Sequence, residues 1–293
     1  NAAHSLSRVV VPMNWFHELS SLELAAFVIG VVALLSVIGV ALVAPRVRSS
    51  RLHQHFDNGT IAGLLSALIG VYAVAAGLTA VAVWGNMVDA GSDVSQEAAA
   101  IAVLYHDLGG YPPPLRQQGR RALIAYTKYV INVEWPLHQK GQLPPDTLRI
   151  IEKAQNSIVS FEPVTEGQKI IQAQVLRSYN HLLQAHWQRL QAVRDTALPA
   201  ELWIVVILLG SIAISSCFLL RVDSFAMHAT VTLLVAAPIA LVLYFIAVSD
   251  HPFQGGINVS AAPYREVLEK MLLFAEVEEG AEAAAAGSAV PAQ

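Results

Sequence analysis

The chain has 293 residues, of which 55% are hydrophobic and 14% charged, with a formal net charge of -4 and a mean hydropathy of +0.50. Soluble domains usually carry about 25% charged residues, so this composition is that of a membrane protein, and it offers no basic excess for nucleic acid. The one cysteine, Cys217, excludes an intrachain disulfide and a cysteine-based zinc site.

Residues 24–44 form the first predicted span, 21 residues without a charge. At ~1.5 Å per residue, about 20 residues cross the roughly 30 Å apolar core of a bilayer. The segment is longer than the apolar core of a signal peptide, usually about 7–15 residues, and Pro45-Arg46 follows it instead of an A-x-A site. It reads as a retained span whose helix ends at Ala44-Pro45, because proline disfavours helical geometry in the residue before it. The loop that follows holds Arg46, Arg48 and Arg51 with His53 and His55. His53 and His55 beside Asp57 read as a headgroup-facing loop rather than a metal site.

Residues 60–84 are the second span, 25 residues without a charge. Gly63, Gly70 and Gly77 recur every seven residues, with Ser66, Ala67 and Ala73 beside them, a small-residue face on which helix backbones can approach closely. The opposite face carries Leu65, Leu68, Tyr72 and Thr79. Two readings stand for this helix. It is either the central packing helix of a four-helix bundle, or a pore-lining helix in an oligomer with Leu65, Leu68, Tyr72 and Thr79 toward the conduit.

From about residue 85 to 200 the chain reads as helices outside the bilayer. Residues 94–108 carry a helical stripe at Ala98, Ile101, Ala102 and Tyr105, either capped by Ser92 and Asp93 or continuing the second span. Prolines 112–114 stop it; residues 115–135 form a further helix closed by Pro136; Asp146 caps another that runs to about Ser160. Thr165-Glu166-Gly167-Gln168 fits a capping box and opens a long helix to about Thr196.

The third and fourth spans are residues 202–220 and 229–248. Asp250, Pro252, Phe253 and Gly255 then describe a fixed turn at the membrane surface, with Phe253 as an interfacial anchor and Gly255 free to take backbone angles closed to other residues. This turn is expected to lock a short amphipathic helix, residues 264–277, against the extramembrane domain. Residues 280–293 are rich in Ala, Gly and Pro and read as a mobile tail. The expected organisation is spans one and two in 1–84, a helical domain in 85–200, spans three and four in 201–249, the interfacial turn and short helix in 250–279, and the tail. The fold class is an all-α membrane protein with four transmembrane helices and a helical extramembrane domain between spans two and three.

Basic residues near span ends set orientation. Arg46, Arg48 and Arg51 occupy the first short loop and Arg221 the second, whereas no Lys or Arg occurs between residues 85 and 115. Beyond Val248, Arg265 and Lys270 face seven acids. The short loops are therefore expected in the cytoplasm, and both termini and the helical domain in the periplasm. Arg189 and Arg194 pull the other way.

Catalytic signatures are absent: no G-x-S-x-G, no H-E-x-x-H, no phosphate-binding glycine loop and no dinucleotide fingerprint. His181 and His186, five apart on a helix, fall on different faces. No Asp, Glu, Lys or Arg lies inside a span, which weighs against a proton relay or an ion-coupled transporter. No catalytic residue, metal ligand or cofactor is assigned, and the reading is non-enzymatic.

Several segments together resemble the bestrophin-like bacterial membrane proteins. They are Gly70-Val71-Tyr72-Ala73-Val74, Val81-Ala82-Val83-Trp84, Glu97-Ala98-Ala99-Ala100 and Leu104-Tyr105-His106-Asp107, with Tyr126 and Glu134-Trp135-Pro136. The likeness resumes in Asp250-His251-Pro252-Phe253-Gln254-Gly255 and Pro263-Tyr264, and Met13-Asn14-Trp15 resembles the usual beginning of such chains. Gly85-Asn86 and His251 depart from the pattern. Bestrophins proper are pentameric anion channels whose second span lines a narrow apolar neck. The resemblance therefore implies a homo-oligomeric channel for chloride or another small anion, surrounded by membrane lipids. It also implies a cytoplasmic domain, against which the arginine distribution is preferred here. The second reading is a non-catalytic accessory subunit of a larger membrane complex; a receptor is disfavoured because the inner loops are too short for an output module.

Overall fold

The structure, a computed structural model, describes residues 21–49, 57–144, 147–195 and 198–288. Among the described residues every regular element is helical. Four helices are long and apolar enough to cross a membrane, α1 (Ser21–Arg48), α2 (Asn58–Asp107), α7 (Ala200–Cys217) and α8 (Phe225–Ser249). Between α2 and α7 lie α3 (Pro113–Tyr129), a π turn (Val130–Glu134), α4 (Trp135–His138), α5 (Thr147–Val159) and α6 (Glu166–Asp195), and α9 (Ala262–Ser288) follows α8. The chain divides into two compact units, one of residues 1–87 and 196–258, the other of 88–195 and 259–293.

In the first unit α1 lies along α8, and α7 packs on α8. Their shared core joins Tyr72, Ala76 and Val83 of α2 to Val206 and Ala213 of α7 and to Ile239 and Ile246 of α8. Gly210 makes this meeting possible, since a Cβ there would stand 3.1 Å from Ile239 and 3.3 Å from the Tyr72 ring. Hydrocarbon offers no partner to a hydroxyl, and three of those in the spans bond back to their own helices. Ser36 donates to the Val32 carbonyl at 2.7 Å, Thr79 to Ala75 at 2.9 Å and Ser216 to Ile212 at 2.8 Å. His228 Nε2 donates to the Cys217 carbonyl at 2.9 Å, satisfying the end of α7. Asn58 and Arg221 exchange two side chain–backbone bonds of 3.0 and 2.9 Å, joining the start of α2 to the loop after α7.

Pro45 does not end α1, as its position had led one to expect. The helix continues to Arg48, where the Arg46 guanidinium donates to the Leu42 carbonyl. One missing N–H within the last turn of a helix is a small loss, because few bonds follow it.

The second unit holds the rest of the helical elements. Residues 94–108 are not a separate helix capped by Ser92 and Asp93; α2 runs unbroken through Gly85 and Gly91 to Asp107. In this unit α3 packs against α5 and α9. The expected capping box opens α6, with Gln168 N–H donating to Thr165 Oγ1 and Thr165 N–H to Gln168 Oε1, both at 3.2 Å. Pro136 does not close the preceding helix, because the chain widens into the π turn before it and resumes as α4 through His138. The proposed cap Asp146, the histidines 53 and 55 and the segment at Met13 lie outside the described residues. The tail read as mobile is instead helical to Ser288. Its alanines are the strongest helix formers, and they continue a helix already begun at Ala262.

Gly210→Leu forces a branched side chain into the Tyr72–Ile239 contact and should cost about 1–3 kcal/mol. Thermal unfolding in detergent reads this as a lower midpoint; an unchanged midpoint would contradict the packing described.

Candidate functional site

The membrane half of α2 separates its residues by side. Tyr72 is buried against α7 and α8, and its hydroxyl donates to the Ile239 carbonyl at 3.2 Å. Thr79 is buried on the same side, and Leu65 and Leu68 are half-buried there, Leu68 against the shared core. The face read as pore-lining is thus directed into its own chain. The face read as helix-packing points outward: Gly63, Ser66, Gly70, Ala73 and Gly77 are all exposed, and a Cβ at any of the three glycines would meet nothing within 4 Å. Valines and glycines share that outward stripe, with Val74 64% and Val81 71% exposed.

The turn after α8 fastens the membrane unit to itself. Asp250 accepts from the Leu198 N–H at 2.7 Å and from Trp203 Nε1 at 3.2 Å, tying the entry of α7 to the exit of α8. Pro252 and Phe253 are buried, so Phe253 is a packing residue rather than an exposed anchor. Gly255 takes φ 75, a left-handed conformation that favours glycine.

The second unit contains an arrangement that reasoning from the sequence missed. Glu97 of α2, Glu134 of the π turn, His138 of α4, and His186 and Arg189 of α6 are all fully buried. Tyr126 of α3 and Tyr264 of α9 close the group. Arg189 Nε donates to Glu97 Oε2 at 2.5 Å and its Nη2 to Glu134 Oε2 at 2.6 Å, so one guanidinium bridges two carboxylates. Tyr126 donates to Glu97 Oε1 and Tyr264 to Glu97 Oε2, the latter at 2.8 Å. His186 Nδ1 stands 3.2 Å from Glu97 Oε1. The Arg189 carbon Cζ lies 5.8 Å from the Tyr264 ring centroid, and Trp135 meets the same ring edge-on at 5.9 Å.

Electrostatics follow from this geometry. Burial alone would raise the Glu97 carboxyl, but the Arg189 charge and the bonds from His186 and Arg189 hold it well below the usual carboxylate range. Burial, and then the Glu97 charge, push the Tyr126 phenol far up. Tyr264 is driven the same way by burial and by the Glu97 carboxylate, against the Arg189 charge. Both phenols therefore stay neutral donors. Burial and the neighbouring Arg189 push His138 down to about 3. Arg189 Nη1 sits 3.1 Å from His138 Nδ1 and 3.5 Å from Nε2, so the cation lies against the imidazole and disfavours a second charge there. The group is buried and joins α2, α3, the π turn, α4, α6 and α9. His181, by contrast, is exposed, and no cluster of metal-ligating residues occurs among the described residues.

A family model described as the Bestrophin-like domain matches residues 30–264. Among solved structures, a mutated form of a bacterial Bestrophin homolog from Klebsiella pneumoniae is similar at TM-score 0.65 and 15% identity, covering 85% of this chain and 97% of that chain. A second mutated form from the same organism gives 0.64 and 15%, covering 83% and 99%. A crystal structure of that homolog phased by Zn-SAD gives 0.63 and 16%, covering 84% and 96%. No curated protein matches the chain.

The buried group predicts a pH profile. A base whose folded-state pKa is lowered contributes stability above its ordinary value, near 6.5 for histidine, and loses it as pH falls toward the folded value. His138 therefore withdraws stability as pH drops from about 6.5 toward 3, and Glu97, also lowered, adds its own loss below its ordinary value near 4.3. The unfolding midpoint should be flat from about pH 8 to 7 and fall continuously below. A flat midpoint down to pH 4 would contradict the assignment.

Proposed function

The chain belongs to the bestrophin-like family, and on that premise we propose that it is an oligomeric protein of the bacterial inner membrane that conducts small anions passively. In this reading α2 stands beside the conduit axis. The observation that carries it is the uncovered outward stripe of α2, Gly63, Ala67, Gly70, Val74, Gly77 and Val81. These positions alternate three and four apart, the spacing with which helices face a common axis. A stripe of Gly and Val makes a narrow apolar neck, which passes weakly hydrated anions and gates by dewetting. Leu65, Leu68, Tyr72 and Thr79 then serve as the backing that holds α2 to its own chain. Bestrophins proper use the second span in this way, which supports the reading.

The orientation proposed is both short loops in the cytoplasm and both termini and the helical domain in the periplasm. Arg46, Arg48 and Arg221 support it. Arg189, the strongest charge against it, is fully buried between two carboxylates and so does not act as a loop charge. The outward glycine face also fits an accessory subunit docked in a larger complex. A single copy in a hetero-complex, silent on its own, would replace the channel reading.

Two experiments test the proposal. Chloride-loaded liposomes containing the purified protein should release chloride, and Val81→Phe should lose most of that release at unchanged assembly mass. Gly70→Leu should lower the assembly mass without lowering chain stability, because nothing within its own chain lies within 4 Å of a Cβ there. No release from the wild type, or an effect of Val81→Phe only through misfolding, would overturn the conduit. Reporter fusions at residue 140 and in the loop at 222 should report opposite sides of the membrane, the first periplasmic.

A further inference from the structure

Resting on the conduit reading, we propose that Trp84 is its specificity-determining residue, a collar of indole N–H donors where the apolar neck ends. The glycines of α2 that recur every seven residues, Gly63, Gly70 and Gly77, make residue 84 the next of the series, and it is tryptophan. Gly91 then resumes the series. Seven residues are about two turns, so Trp84 stands close to the azimuth of Gly77, three residues after Val81. The outward line before it is made of Gly, Ala and Val, whereas Trp84 is bulky and 49% exposed. A cyclic oligomer repeats that indole around the axis, and the opening is narrowest where the side chain is largest.

Chemistry as well as size separates this residue from its neighbours on the line. An indole N–H donates and carries no acceptor, whereas glycine, alanine and valine side chains offer an ion no hydrogen bond. The hydroxyls of Ser66, Tyr72 and Thr79 already donate to the carbonyls of Ala62, Ile239 and Ala75. Trp203, another tryptophan of the membrane unit, gives its N–H to Asp250. Trp84 is thus the donor that this line presents to an anion shedding water at the neck. Phe245 of α8 lies 6.2 Å from the Trp84 ring and steadies it from the side of its own chain. Tryptophan also settles at bilayer surfaces as an anchor, but removing an anchor would leave the choice of ion unchanged.

Planar bilayers holding the full chain under a potassium chloride gradient test this, because current and reversal potential come from one recording. The wild type should prefer chloride to potassium. Trp84→Phe keeps a ring but loses the donor, and should lower the chloride-to-potassium permeability ratio about tenfold, the size of one hydrogen bond to an ion. Trp84→Ala should lower the ratio likewise and raise the current several-fold, at unchanged assembly mass. No wild-type current overturns the conduit reading itself. A wild-type current with an unchanged ratio in Trp84→Phe, or an unchanged current in Trp84→Ala, leaves the conduit standing and overturns this inference. A lower assembly mass in both variants assigns the indole to a contact between copies and also overturns it.

Discussion

A peptide group in hydrocarbon has no hydrogen-bond partner except one the protein supplies, and that constraint shapes α2 more than any other element. Over its membrane half the helix closes its own ladder, its Ser and Thr hydroxyls turn back to carbonyls a turn earlier, and the Tyr72 hydroxyl finds a carbonyl on α8. Only after Trp84 does the same helix begin to carry acids. The first acid to be fully buried is Glu97, and it is already surrounded by donors. The helix thus passes from a region where charge is excluded to one where charge is admitted only when answered.

The answer is Arg189. Removing an arginine and a carboxylate from water costs several kcal/mol per ion, offset only when geometry is good and the remaining lone pairs are satisfied. The guanidinium meets that condition, with its planar fork divided between Glu97 and Glu134 and its remaining edge on a neutral His138. Two phenols complete Glu97. A lysine, with one compact charge, could not reach both carboxylates and the imidazole at once. Such a group penalises a misplaced helix, which would leave a buried charge bare.

Much of the fold could be read in advance because it is written locally. The four spans are long uncharged runs, and the Thr165 box is a four-residue pattern; both match α1, α2, α7, α8 and the start of α6. What could not be read is set by residues far apart in the chain. Glu97 and Arg189 are separated by 92 positions, Glu97 and Tyr264 by 167. Glu97, Tyr126, Glu134, Trp135 and Tyr264 all belong to the segments that carried the family likeness, so their convergence was signalled without its chemistry. Arg189 entered the reading only as a charge near a span. Helical spacing sorts the residues of α2 into sides, yet spacing alone cannot say which side meets the rest of the chain. A local rule misled at Pro45, where the helix runs on past the proline, and composition misled at the end of α9, where the helix propensity of alanine prevailed.

The π turn at Val130–Glu134 is a small deviation with a large reach. Its defining bond runs from Trp135 N–H to the Val130 carbonyl, one residue further than in an α-helix, so the turn absorbs one additional residue. Each residue of an α-helix advances the azimuth by about 100°. Without that additional residue, the side chains before and after the turn would lose their phase. Tyr126, upstream, which donates to Glu97, and His138, downstream, which meets Arg189, could not then both reach the Glu97–Arg189 pair. The bulge is the phase shift that lets one interrupted helix address a single buried ion pair from both of its ends, the carboxylate from one and the cation from the other.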